Sequence, residues 1–330
     1  KWYQGPFPIF CTTINLSFGE DLAYQERKAA AFAFTPLYCG YDVGWTEATS
    51  KHVQFNGFTR TRDYAYPDTC GPTMATAVAA SGAALSPNWG FHTNPAMAFL
   101  LTVFNARLGW WIRNPRYKSS VHHQTATPHF GLWYLLRELF GMVNDNAPYV
   151  YLSDGGHFEN MGLYELVRRR CTNIVICDAE QDGDLNFQGI GMAIRKCRID
   201  FGAEIDLDLS KLDSSGESLS SATNFLEGTI TYPGGFRGNI LYIKSLYTPG
   251  LPPDLVNYRR AHSAFPDDTT LNQWFTESQF ESYRRLGHFT IVPAGATASP
   301  TQEVSDAVSD VDGSSTPSVQ RWLERLTPRV

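Results

Sequence analysis

Apolar and polar positions separate most sharply between Tyr149 and Asp184, in the run YVYLSDGGHFENMGLYELVRRRCTNIVICDAEQDGD. A short apolar strand, an acid-glycine-glycine turn, a helix and a second apolar strand follow one another there, the order of a βαβ unit. Upstream, Phe7–Phe18 and the segment AFAFTPLYCGYDVGW (32–46), which alternates aromatic and small residues with glycine, predict strands and a turn, and GEDLAYQERKAAAF reads as a helix or an extended excursion. Residues 45–72 keep no period and read as a long loop. TMATAVAASGAAL, from Thr73, favours helix through its alanines; PNWGFHTNP breaks it, and MAFLLTVFNARLGWWI resumes the apolar pattern as a second helix. GLWYLLRELFGM is amphipathic and is ended by NDNAP.

Further on, Ile190, Met192, Ile194 and Cys197 space out a helix, with Arg195, Lys196 and Arg198 near its C-terminal end, where the helix dipole favours cations. AEIDLDLSKL predicts a strand with Ile205, Leu207 and Leu209 inward and Glu204, Asp206 and Asp208 outward. LEGTITY and GNILYIKSL, joined by PGGFRG, predict an antiparallel hairpin, and Trp274, Phe275, Phe280 and Tyr283 predict a helix packed on the body. From Val292 to about Pro317 the composition collapses to Ala, Ser, Thr, Pro, Asp and Gly, a linker or tail, before VQRWLERL, a short terminal helix. Residues 1–291 therefore form the folded part and 292–330 the tail.

Composition narrows the class. With 330 residues, 43% of them hydrophobic and 18% charged, the chain can bury a substantial core. A net charge of −6 with scattered basic residues gives no electrostatic reason to expect a nucleic-acid partner. The six cysteines form no CxxC pair, so free thiols in a reducing compartment are expected, cytoplasmic or membrane-associated and not secreted. The start KWYQGPFPIF has neither Met nor a signal-like region and reads as a fragment. Ala96 to Ile112, the longest apolar stretch, is interrupted by Asn105 and Arg107 and is shorter than the ~20 residues of a membrane span; a buried or interface-facing helix is expected.

Candidate chemistry centres on Asp154-Gly155-Gly156. An aspartate at the end of a buried strand sits where α/β sheets open crevices, and the glycines let backbone approach a ligand or nucleophile; the same three residues also make a good turn. In the acidic run, Asp178, Glu180, Asp182, Gly183 and Asp184 match positions 1, 3, 5, 6 and 7 of a calcium loop, but position 12 is Gly189 and a strand precedes it, so a solvated turn is expected. His122, His123, His129 and His157 follow no metal-ligand spacing, and a backbone hydrogen bond is expected for His157. Neither a cofactor nor a metal is called for. No G-x-S-x-G occurs; the nearest approach, Ala79-Ala80-Ser81-Gly82-Ala83, falls at the end of a helix. Ser81 stands as an alternative nucleophile, and Trp110 and Trp111 as residues of an alternative, non-catalytic module that binds lipid or a membrane surface.

LSDGGHFENMGLYELVRRRCTNIVICDAEQDG resembles the catalytic-aspartate segment of patatin-like phospholipases, especially large bacterial members related to cytosolic phospholipase A2. PFPIFCTTIN, FAFTPLYCGYD, SGAALSPNWGFHTNPAMAFLLTVFNARLGWW and AFPDDTTLNQWFTESQFESYRRLG are similar in order and character to further segments of that family, so the resemblance covers residues 1 to about 290. It implies an α/β fold, a three-layer α/β/α arrangement with a mixed central sheet, truncated at its N-terminus. It also implies a lipid acyl hydrolase with a Ser-Asp dyad, acting on phospholipid or other lipid esters at a membrane surface. Asp154 matches the general base, Gly155 and Gly156 its turn, and Asn160 an asparagine that holds the loop. The family's serine elbow and oxyanion glycines precede the segment matched here, so the resemblance makes this chain the aspartate half, inactive alone.

Overall fold

The computed structural model describes residues 5–17, 27–42, 57–64, 72–83, 108–116, 127–128, 130–140, 142–212, 223–269, 272 and 274–291. The protein is of the mixed α/β class, and its contacts gather into two units, residues 1–165 and 166–330. GEDLAYQE (19–26), the 96–107 part of the predicted second helix, and the tail with its terminal helix lie outside the described residues.

Unit 1 is built on an apolar strand, β1 (Phe10–Asn15), whose Thr12 to Asn15 are all buried. It pairs on one side with β2 (Ala29–Phe34), which continues through β3 (Tyr38–Tyr41) to β4 (Phe58–Arg60). After a single helical turn, α1 (Thr61–Tyr64), comes α2 (Met74–Ser81), started by Thr73, whose Oγ1 accepts the Thr76 N–H at 3.1 Å. Next are β5 (Trp110–Arg113), α3 (Gly131–Leu139), β6 (Tyr149–Asp154) and α4 (Leu163–Arg168). The sheet order is β4-β3-β2-β1-β6-β5, antiparallel throughout.

Alternation along β6 decides the two faces. Val150 and Leu152 join Ile14, Phe32 and Ile112 beneath Ala77 and Ala80 of α2, while Tyr149 and Tyr151 pack with Trp111, Val143 and Tyr134 of α3. Tyr134 meets Trp111 and Tyr149 edge-on, at ring separations of 4.7 and 5.5 Å.

Unit 2 carries a smaller, mixed sheet. β7 (Asn173–Asp178) is followed by α5 (Gln188–Phe201), β8 (Glu204–Asp206), β9 (Phe225–Thr231), β10 (Arg237–Lys244), α6 (Pro253–Ala261) and α7 (Glu277–Ile291). The order is β7-β10-β9-β8; only β7 and β10 run parallel. α5 buries Ile190, Ala193 and Cys197, a stripe at i, i+3 and i+7, and stops at Gly202, whose φ of 61° is left-handed.

The ends of the parallel pair hold a buried ion pair. Lys244, 1% exposed, donates to Asp178 at 3.2 Å and to the Glu180 carbonyl at 3.4 Å, and Asp182 lies 3.9 Å away. The Tyr242 hydroxyl donates to the same Asp178 oxygen; burial, then the Asp178 charge, push that hydroxyl far above its ordinary pKa, so it stays a donor.

Several expectations are corrected. β6 and β7 belong to different sheets, so Tyr149–Asp184 is strand-helix-strand but not a βαβ unit. Trp110–Arg113 is a strand, because its backbone completes the ladder along β6 and its side chains fill both faces. The predicted 45–72 loop contains β4 and α1, and the strand at 204 stops at Asp206 before a turn of 3-10 helix (Leu209–Leu212). α6 was not foreseen. Trp274 does not pack on the body: it is 89% exposed, while Tyr283 packs on Phe265.

Replacing Lys244 with Ala leaves Asp178 buried without its cation. A loss of about 3–5 kcal/mol is expected in urea unfolding of the 330-residue chain, and a midpoint unchanged from the parent would contradict it.

Candidate functional site

Asp154 ends β6 beside β1, in register with Thr12. The chain then tightens into one turn of 3-10 helix, Gly155–His157, and the turn is closed by Asp154 itself, whose Oδ1 accepts the Gly156 N–H at 2.7 Å. Its partly exposed carboxylate is reached by no other hydrogen-bond donor among the described residues. The Thr13 hydroxyl donates to the Gly155 carbonyl at 3.2 Å, tying the turn back to β1.

Each glycine answers a different constraint. A Cβ on Gly155 would stand 2.6 Å from the Cys11 carbonyl oxygen, so main chain passes main chain there. At Gly156 the obstacle is the Asn160 side-chain carbonyl, with Asp154 Oδ1 at 3.1 Å. Asn160 is exposed and lies over the turn. Glu159 caps the next helix: its carboxylate accepts the N–H groups of Met161 at 2.5 Å and Tyr164 at 3.3 Å.

Ser153 faces the opposite side of β6 and carries a buried relay. Asn15 Nδ2 donates to Ser153 Oγ at 2.9 Å, and Ser153 Oγ lies 2.9 Å from His157 Nδ1. Asn15 and Ser153 are fully buried. His157, for which a backbone hydrogen bond was expected, meets the Ser153 side chain, because Ser153 points to the same side as the returning turn. Asn15 and Ser153 were missed in the sequence; the one signal was a pair of polar residues at strand positions that alternation turns inward.

Alternation puts Asp154 on the α2 face, and Ser81 ends that helix. Ser81 Oγ donates to the Cys11 carbonyl at 2.7 Å, the same oxygen that crowds Gly155. Ser81 and Asp154 therefore come to one end of one sheet face. The surroundings of Ser81 suit a helix stop. Its proton is committed to a backbone carbonyl, and a helix C-terminus presents carbonyl oxygens and partial negative charge, opposite to what an oxyanion needs.

The acidic run is not a solvated turn throughout. Asp178 is buried against Lys244, and Asp182 accepts the N–H groups of Asn186 and Phe187 at 2.9 and 2.8 Å, leading the chain into α5. Among the described residues no group of His, Cys, Asp and Glu is placed to hold a metal ion. Trp111, expected to contact a bilayer, is buried against Tyr134 and Tyr151 with its indole N–H donated to Glu138. No helix among the described residues is long and apolar enough to cross a membrane. Compared with family models, with curated proteins and with solved structures, the chain matches none.

The two glycines should respond differently to one added methyl. Gly155→Ala must move main chain against main chain and is expected to cost about 1–3 kcal/mol, whereas Gly156→Ala can turn the exposed Asn160 aside at a smaller cost. Chemical denaturation of the two variants side by side tests this; equal losses would contradict it.

Proposed function

We propose that Asp154 is the general base of a serine acyl hydrolase of the patatin-like phospholipase type, acting on phospholipid or related lipid esters, and that residues 1–291 are the later part of its catalytic domain. The observation that supports it best is the carboxylate of Asp154 at a strand end, anchored through one oxygen by the glycine turn and otherwise open to a donor. A carboxylate near pKa ~3.9 is a weak base for a hydroxyl, so such a dyad depends on a short hydrogen bond, partial desolvation and an oxyanion site that takes up the developing charge. In the reaction Asp154 accepts the serine proton as the oxygen attacks the ester carbonyl. It returns the proton to the departing alcohol, and water then hydrolyses the acyl-serine in a second round.

On this reading the nucleophile is a serine on an elbow that this sequence does not contain, and the 330 residues alone are inactive. The rival, a complete hydrolase using Ser81, gains from the shared sheet end but has the wrong helix pole and a committed proton. Full-frame expression followed by ester hydrolysis should show loss of at least about 1,000-fold in kcat for Asp154→Asn; retained activity refutes the base assignment. Treated with a fluorophosphonate probe, the 330-residue chain should remain unlabelled at Ser81, and labelling there would establish the rival.

A further inference from the structure

Strand β7 lies at one edge of the second sheet, with β10 on one side and no strand on the other among the described residues. Two bonds fix which way its backbone points: the Asn239 N–H donates to the Thr172 carbonyl at 2.7 Å, and the Ser245 N–H donates to the Asp178 carbonyl at 3.2 Å. Backbone groups alternate sides along a strand. Ile174, Ile176 and Asp178 therefore address β10, while Asn173, Val175 and Cys177 each turn one N–H and one C=O away from it. No hydrogen bond reaches these outward groups from any described residue. The three side chains are exposed as well, Val175 by 41%, whereas Ile174 and Ile176 are buried on the opposite face.

An open edge of this kind is a template for another strand, and proteins usually blunt it by shortness, charge, proline or a bulge. The other sheet edges among the described residues are short: β4 and β8 have three residues each and β5 has four. β7 has six, reads NIVICD without proline or lysine, and keeps an unbroken register with β10. Its one charged side chain, Asp178, is buried against Lys244.

The strand is also complementary to itself. Laid antiparallel on a second β7 with Val175 opposite Val175, it sets Asn173 opposite Cys177 on either side, and each facing pair exchanges two N–H···O=C bonds. Every outward group is then used, no charge meets a like charge, and Ile174 falls opposite Ile176 on the buried face. A shift of one residue sets the outward groups against groups already bonded to β10.

We infer that two copies of this chain pair through their β7 strands about a two-fold axis at Val175, joining their four-stranded sheets into one. The inference stands apart from the proposed hydrolase, since it uses neither Asp154 nor an ester. Pairing gives the outward main-chain groups protein partners in place of water and covers the exposed side of Val175.

The test is sedimentation equilibrium of the 330-residue chain, in which a reversible dimer is expected. Val175→Pro removes an outward donor without touching the ladder to β10, and should weaken association at least about tenfold. Val175→Lys and Val175→Glu each bring like charges together across the axis and should do the same, with circular dichroism showing the parent fold because the side chain is exposed. Mixed in equal amounts, the Lys and Glu variants should recover a dimer containing one of each, a result that only a residue facing its own counterpart gives. Ile199→Lys, at a 70% exposed position on α5, should leave association unchanged. The inference is overturned if the chain stays monomeric at ~0.5 mM, if the dimer survives Val175→Pro and Val175→Lys, which would assign it to another surface, or if the mixed variants remain monomeric.

Discussion

The pairing of β1 with β6 is the constraint on which the candidate site depends. Register sets Thr12 opposite Asp154, and the same ladder brings the Cys11 carbonyl against the Gly155 backbone and the Thr13 hydroxyl to the Gly155 carbonyl. A slip of one residue would turn Asp154 to the other face and Ser153 into its place. The Asn15–Ser153 hydrogen bond opposes such a slip, since two buried polar side chains would lose each other.

The two sides of that sheet have different characters. Beneath α2, Ile14, Val150 and Leu152 pack with Phe32, Phe34 and Tyr41 under the small Ala77 and Ala80, and the last residue of the helix, Ser81, comes to the Asp154 end. Under α3 it is aromatic and partly polar: Trp111, Tyr134, Tyr149 and Tyr151 enclose Glu138 by giving its carboxylate an indole donor. With Tyr134 and Glu138 turned inward, Leu132, Trp133 and Leu136 of this helix are left exposed.

In the second unit the acidic run that looked like a metal loop serves a buried lysine. Asp178 and Lys244 end adjacent parallel strands, so their side chains must meet wherever both point inward. Burial of the pair is tolerable because Tyr242 and the Glu180 carbonyl share in the hydrogen bonding.

Most local structure was legible in the residues themselves. The strands at Phe10, Tyr149 and Asn173, the helices at Met74, Gly131 and Gln188, and the 225–244 hairpin all follow from alternation, helical spacing and capping residues, which act over a few positions of chain. The Asp-Gly-Gly turn was legible for the same reason, since its closing bond spans two residues. Partners distant in sequence were not: that β6 pairs with β1 and β7 with β10, that Trp110–Arg113 joins a ladder and does not continue a helix, and that Ser153 meets Asn15. These choices depend on which backbone edges and buried polar atoms find one another, and hydrophobic period carries no record of it. The amphipathic period of α3 was likewise plain in the sequence, but which of its faces turned to the protein was decided only when Trp111 found Glu138.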